Sequence, residues 1–128
     1  MKTLHYKTYL FLILAAVFFS FTQKDEIVAG LKTGNAEKIG NYFDQTVELN
    51  FPGKGGSYSK TQAVLVLKDF FSLNRSKGFE VKHSGNNAAS NFIIGTLQTS
   101  NGSYRTTVFM RQKGDKLLIQ GIEFEASN

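Results

Sequence analysis

The chain has 128 residues, with 15 lysines and arginines against 10 acids, a formal charge of +5 and no cysteine. The lack of cysteine excludes thiol catalysis, disulfide staples, cysteine metal sites and a cysteine-linked lipid anchor. The cations are scattered singly rather than gathered into a stripe, which argues against a nucleic-acid partner.

Lys2 and Lys7 precede an uncharged apolar run from Tyr9 to Phe21. A membrane-spanning helix needs about 20 consecutive apolar residues. This run is shorter and has the positive flank of a secretory signal. It is therefore read as an export signal cleaved after Thr22, with Ser20 and Thr22 as the small residues; an uncleaved N-terminal anchor is the alternative. The expected organisation is a signal over 1–22 and a single domain over 23–128, secreted or periplasmic, with no stable membrane span after cleavage. Removing that signal leaves 13 cations against 10 anions, a mild positive bias.

From Asp25 to Leu31 the spacing of Ile27, Val28 and Leu31 predicts a short helix, with two acids in its first turn and Gly34 as its stop. Asn35 is placed to cap a second helix, in which Ala36, Ile39, Tyr42 and Phe43 recur at helical spacing as far as Asp44. Val47 to Phe51 alternates at period two, as a half-buried strand does, and Pro52 to Gly56 is turn chemistry. Ser59 and Gln62 form a capping box ahead of a helix carrying Ala63, Val64, Leu67, Phe70, Phe71 and Asn74. After Lys77-Gly78 the period becomes that of strands: Phe79–His83, Ser90–Gln98, Ser103–Gln112 and Lys116–Glu125, with turns at Asn101-Gly102 and Gly114-Asp115. Helices followed by a meander of strands give an α+β domain, its sheet curling around the helices.

This order of elements resembles the nuclear transport factor two-like superfamily, a cone-shaped α+β roll in which N-terminal helices pack against a curved, mostly antiparallel sheet of cystatin-like fold. The residues that carry the resemblance are Ile27-Val28-Ala29-Gly30-Leu31, Gly34-Asn35-Ala36 ahead of Phe43, Val47-Glu48-Leu49, Tyr58-Ser59-Lys60-Thr61-Gln62-Ala63 with Phe70-Phe71, and Leu117-Leu118-Ile119-Gln120-Gly121-Ile122. More narrowly, the chain is similar to small secreted bacterial members of unassigned function. The resemblance implies a fold shared by isomerases, dehydratases, epoxide hydrolases and cyclases and by non-catalytic binding and dimerisation modules. No motif here matches the acid and base arrangements of those enzymes, so no catalytic residue is carried over.

His83 is the one histidine after signal removal and follows Phe79 and Val81 on one strand face, which makes it the single candidate general base. Such a base needs an orienting acid, and Asp44 and Glu48 are the candidates. A strand-end histidine with no chemistry is the simpler reading. One histidine without cysteine predicts no metal site. The glycines around Lys54 lack phosphate-loop spacing, and no cofactor is expected. Tyr42, Tyr58 and Tyr104 supply hydroxyls to a ligand pocket lined by Phe43, Phe70, His83, Phe92, Val108, Met110 and Phe124; alternatively these aromatics simply fill the core. The second face of the sheet is expected to be solvated, with Phe109, Arg105, Arg111 and Glu123 forming a patch of the kind through which relatives dimerise.

The sequence thus points to an exported, non-enzymatic domain that binds a small apolar ligand or an envelope protein, with a homodimer as a further partnership. A small isomerase, dehydratase, hydrolase or cyclase acting on an apolar substrate is the alternative.

Overall fold

The computed structural model describes residues 23–86 and 91–127. The segment read as an export signal lies outside the described residues. Helix α1 runs over 23–33. Its inward side chains Ile27 and Leu31 are fully buried. The side chain of Gln23 ties the start of the helix to the sheet: its Nε2 donates to the Asp115 carbonyl at 3.1 Å, and its Oε1 accepts from the Leu117 amide at 2.7 Å. At the other end Gly34 turns the chain in the left-handed region at φ +67°, where a side chain would be strained. The last carbonyls, of Leu31 and Lys32, accept from the Ser76 hydroxyl.

Helix α2 is Ala36–Gly40, capped by the Asn35 side chain, which accepts from the Lys38 amide at 3.0 Å. The helical spacing extends the expected helix to Asp44, but the chain leaves the helix at Gly40. Phe43 already opens strand β1, Phe43–Phe51. Tertiary pairing overrides the local period here, because the Tyr42 carbonyl accepts from the Ile119 amide and Phe43 stands beside Ile119 in a parallel ladder. A second strand, β2, Lys54–Ser59, begins inside the segment read as turn chemistry and returns antiparallel along β1. Its KGGSYS sequence has little strand propensity. Its hydrogen bonds to β1 make it a strand, with Tyr58 opposite Val47.

Helix α3, Lys60–Leu73, begins where expected, with the Ser59 hydroxyl accepting from the Gln62 amide at 3.3 Å. It buries Ala63, Leu67, Phe70 and Phe71. Strands β3 (Ser76–Asn86), β4 (Asn91–Thr99), β5 (Gly102–Lys113) and β6 (Lys116–Ser127) follow as the expected meander. Gly114-Asp115 turns β5 into β6; the β4–β5 turn sits one residue earlier than expected, on Ser100-Asn101, with Thr99 paired to Gly102. The Asn101 amide donates to the Thr99 hydroxyl, and the Asn101 side chain donates to the Leu73 carbonyl, so the turn is fastened to the end of α3.

The six strands form one sheet in the order β2-β1-β6-β5-β4-β3. Only the β1–β6 pair is parallel. The sheet is curved and unclosed, and the register shifts in three of its ladders: β1–β6, β3–β4 and β5–β6. Such bulges bend a strand and increase its twist, and here they accompany the wrapping of the sheet around the helices. The concave side carries the core, to which α1, α2, α3 and all strands except β2 contribute buried apolar side chains. Among the described residues no helix is long and apolar enough to cross a membrane.

Gly95 in β4 marks a close approach to the backbone of β3. A Cβ there would stand 2.5 Å from both the Glu80 carbonyl oxygen and the ring of Phe79. A backbone oxygen cannot swing aside, so Gly95→Ala is expected to destabilise the fold by about 1–3 kcal/mol through overpacking. Urea unfolding measures this directly, and an unchanged midpoint would contradict the packing.

Candidate functional site

Aromatic rings pack together at one end of the core. Phe70 of α3 stands at the centre, with ring-centroid distances of 4.9 Å to Phe51, 5.6 Å to Phe71, 5.3 Å to Tyr104 and 4.6 Å to Phe124. Phe51 and Phe124 stack in parallel at 5.3 Å. The Tyr104 hydroxyl donates to Asn74 Oδ1 at 2.9 Å, and Asn74 Nδ2 donates to the Phe70 carbonyl at 3.0 Å. The polar groups at this end thus satisfy one another. Of the expected pocket residues, Phe70, Tyr104 and Phe124 do converge, but in contact with one another. Phe51, absent from the expected set, completes the cluster. Phe43, Val108 and Met110 are buried in the same core, and Tyr42 and Tyr58 pack half-buried against it. Burial, with the Glu26 carboxylate adding to it, pushes the Tyr42 phenol above its ordinary range.

Two expected pocket residues lie elsewhere. In β4 the alternation turns Ile93, Gly95 and Leu97 inward, so Phe92, Ile94 and Thr96 face the convex side. The Phe92 ring there covers the bare backbone of Gly85. In β3 a register shift falls between Val81 and His83: Val81 pairs with Gly95, but His83 pairs with the outward-facing Ile94. The extra residue reverses the alternation. His83 is therefore exposed on the convex side, and Ser84, opposite Ile93, takes the inner phase.

Neither acid considered for His83 is near it. Asp44 and Glu48 are on β1 and His83 on β3, four strand spacings apart in the sheet, or roughly 19 Å at the usual strand separation. Asp44 is engaged instead with Lys113 Nζ at 2.7 Å, Gln120 Nε2 at 2.8 Å and the Gln45 amide at 2.7 Å. These hydrogen bonds, led by the one from Lys113, hold its carboxyl well below the usual carboxylate range, at about 2. Among the described residues no three metal-ligating side chains converge.

A cleft of about 310 Å³ opens between the start of α1 and the ends of β3, β4, β5 and β6. Lys24, Asp25 and Val28 line it from the helix, and Val81, Ser84, Asn86, Asn91, Ile93, Gln112 and Leu117 from the sheet. Sequence reading passed over these residues, because polar side chains at the ends of two separate hairpins carry no common signal until the hairpins meet. On the convex side, cross-strand register pairs Phe92 with Phe109, Ile94 with Thr107, Arg105 with Glu125, Thr107 with Glu123 and Arg111 with Leu118. Arg105, Phe109, Arg111 and Glu123, expected to share a patch, stand together on this face, and Phe109 is 46% exposed. A hydrogen bond with Glu125, with burial and charge repulsion adding to it, raises the Glu123 carboxyl against the pull of Arg105.

The sequence matches the family model described as "Domain of unknown function (DUF4783)" over residues 24–125. The chain belongs to the DUF4783 family. Two solved members are similar to it along nearly their whole length. The protein from Bacteroides fragilis YCH46 is 35% identical, with a TM-score of 0.76 over 80% of this chain and 96% of its own. The protein from Bacteroides ovatus ATCC 8483 is 31% identical, with a TM-score of 0.77 over 80% of this chain and 94% of its own. The fold extends beyond the family, to structures of nuclear transport factor two-like and cystatin-like type. One of them, a domain of unknown function with a cystatin-like fold from Nostoc punctiforme PCC 73102, is 12% identical with a TM-score of 0.65, over 84% of this chain and 74% of its own. No curated protein matches. DUF4783 is thus placed in the α+β roll class expected from the order of elements.

The environment of Asp44 has a measurable consequence. Its folded pKa is depressed, so it contributes stability that is present above the unfolded value near 3.8 and lost as pH falls towards 2. Asp44→Asn is expected to be less stable than the parent at neutral pH. The gap between the two should close between about pH 4 and pH 2. Urea midpoints of both proteins across that range provide the check, and a gap independent of pH would remove the assigned hydrogen bonds.

Proposed function

We propose that this DUF4783 protein is an exported, non-catalytic binding module that works through the convex face of its sheet, pairing there with a second copy of itself. The observation that carries the reading is the contrast between the two sides of the sheet. The aromatic rings that would have to line a reaction pocket touch one another on the concave side, whereas Phe109 is 46% exposed on the other side beside Phe92. A large exposed aromatic on a regular sheet face is a common mark of an interface.

The cross-strand register supports a self-complementary pairing. Arg105 stands beside Glu125, Thr107 beside Glu123, and Phe109 beside Gly121, which has no side chain to cover the sheet there. A two-fold axis lying between β5 and β6 and parallel to them lays the β5 of each copy over the β6 of the other. Each Arg105 then meets a Glu125, and each Phe109 meets the bare Gly121 of its partner. Closed two-fold symmetry is the commonest form of homo-oligomer, and the Arg105–Glu125 pair on adjacent strands suits it.

Export rests on the apolar run from Tyr9 to Phe21 behind Lys2 and Lys7, and on a family match that begins at residue 24, directly beyond the expected cleavage point. Intact mass of the protein recovered from producing cells is expected to show a chain starting at Gln23. A full-length chain retained in the cytoplasm would refute export.

Phe109→Glu places a charge against the opposing backbone and is expected to convert the dimer to a monomer, halving the mass in light scattering. The Arg105→Glu change weakens the pair, and adding Glu125→Arg restores it. A wild-type monomer, or a mass unchanged by Phe109→Glu, would sink the proposal.

A further inference from the structure

The geometry points to a second binding site, on the opposite side of the sheet from Phe109: we propose that the cleft beside the start of α1 takes a small amphipathic carboxylate. Lys24 pairs with the acid group, and Val28, Val81, Ile93 and Leu117 receive the apolar part. The cleft is about 310 Å³. That is the small end of the roughly 300–1,000 Å³ range of ligand sites and suits a medium-length chain rather than a long one.

Lys24 stands at the mouth of this cleft. Its Nζ donates to Asn86 Oδ1, a neutral acceptor. Lys38, Lys68, Lys82 and Lys113 pair with Glu26, Glu37, Glu80 and Asp44. No such ion pair forms at Lys24 among the described residues, and the residues outside that set have no acidic side chain. Burial alone lowers its pKa, the sign of an ammonium partly stripped of water without a counter-charge in return. An ammonium has three donors. A carboxylate entering the cleft would take those left over and supply the missing charge, the combination that makes a partly buried cation favourable.

The neighbouring polar groups fit the same ligand. Asn86 and Asn91 face each other across the β3–β4 pair, so two carboxamides stand side by side next to the amine. Their N–H groups, with the Ser84 hydroxyl, are donors suited to carboxylate oxygens. Lys24 is the single cation of the lining, and Asp25 on the rim repels a doubly charged phosphate more strongly than a singly charged carboxylate.

The apolar wall supplies the other half. Val81 is 43% exposed, although it shares the inward phase of Phe79 on β3, and it faces this cleft. Ile93 and Leu117 form the floor behind it, almost fully buried. A hydrocarbon chain laid between Val28 and Val81 would cover apolar surface that water now touches.

The test is a titration of the protein, as purified from producing cells, with decanoate, decanol and decyltrimethylammonium, followed by calorimetry and by amide chemical shifts. Saturable decanoate binding with shifts at Val81, Ser84 and Ile93 is expected. Lys24→Gln should weaken decanoate about tenfold, the loss of one charge-assisted hydrogen bond. Lys24→Arg should restore most of the affinity, and the weaker binding of decanol should not respond to either change. Lys24 is a surface-side residue of α1, and an unchanged amide spectrum elsewhere verifies that each variant is folded. The proposal is overturned if decanoate fails to saturate, if decanol or the cationic amphipath binds as tightly, or if Lys24→Gln leaves decanoate affinity unchanged. Phe109→Glu should leave decanoate binding intact, which separates this site from the convex face.

Discussion

The packing of Phe70 couples the helical layer to the sheet. One side chain of α3 meets rings from β1, β5 and β6 and from its own helix, within 4.6–5.6 Å between centroids. Burying a large aromatic contributes on the order of 1.5–3 kcal/mol, and each aromatic contact adds about 0.5–1.5 kcal/mol beyond the area it covers. A domain of this length without disulfides depends on such contacts. The bend of the sheet is what allows strands as far apart as β1 and β5 to reach one ring.

The rings of Phe51, Phe70, Phe71 and Phe124 touch one another at one end of the core. The polar groups at the same end, Tyr104 and Asn74, are occupied with each other and with the Phe70 carbonyl. The cleft beside α1 and the convex face lie where the helical layer does not cover the sheet. Gln23 fixes the edge of that cleft, since both ends of its side-chain amide bond the backbone between Asp115 and Leu117 and hold the first turn of α1 against β6. Lys24 and Val28 inherit their positions from that anchor.

Charge is arranged differently on the two sides. On the convex face Arg105 of β5 stands in register with Glu125 of β6, and Glu123 lies beside them opposite Thr107, so charges of both signs meet there and the surface suits a partner bearing the same pattern. The cleft holds one amine whose nearest acceptor is neutral, an arrangement that favours an anion. Asp44 shows the fully paired alternative: three hydrogen bonds, one of them from a lysine, hold it ionised, and it serves to lock β1 to the β5–β6 pair.

Much of the fold is legible in the residues. Helical spacing from Ile27 to Leu31, the Ser59 cap, the Gly34 stop and the period-two meander after Gly78 are local signals, and local hydrogen bonding obeys them. The strand β2 and the early end of α2 are not legible, because KGGSYS becomes a strand only through β1, and Phe43 leaves the helical path to pair with Ile119, 76 positions away. The same division holds for the sites. Period-two alternation identifies the β5–β6 patch of Arg105, Phe109, Arg111 and Glu123, since register within a hairpin is set by its turn. His83 escaped that reasoning through one bulged residue, which reverses every side chain beyond it, and the cleft around Lys24 escaped it because α1 and two hairpins from distant parts of the chain form it together. By itself, then, the sequence determines elements, caps, the meander and the charge pattern along each strand, all governed by neighbours within a few residues. Which rings meet Phe70, which face His83 takes and what surrounds Lys24 are decided by the tertiary structure, because each depends on long-range pairing and on the bulges that curve the sheet.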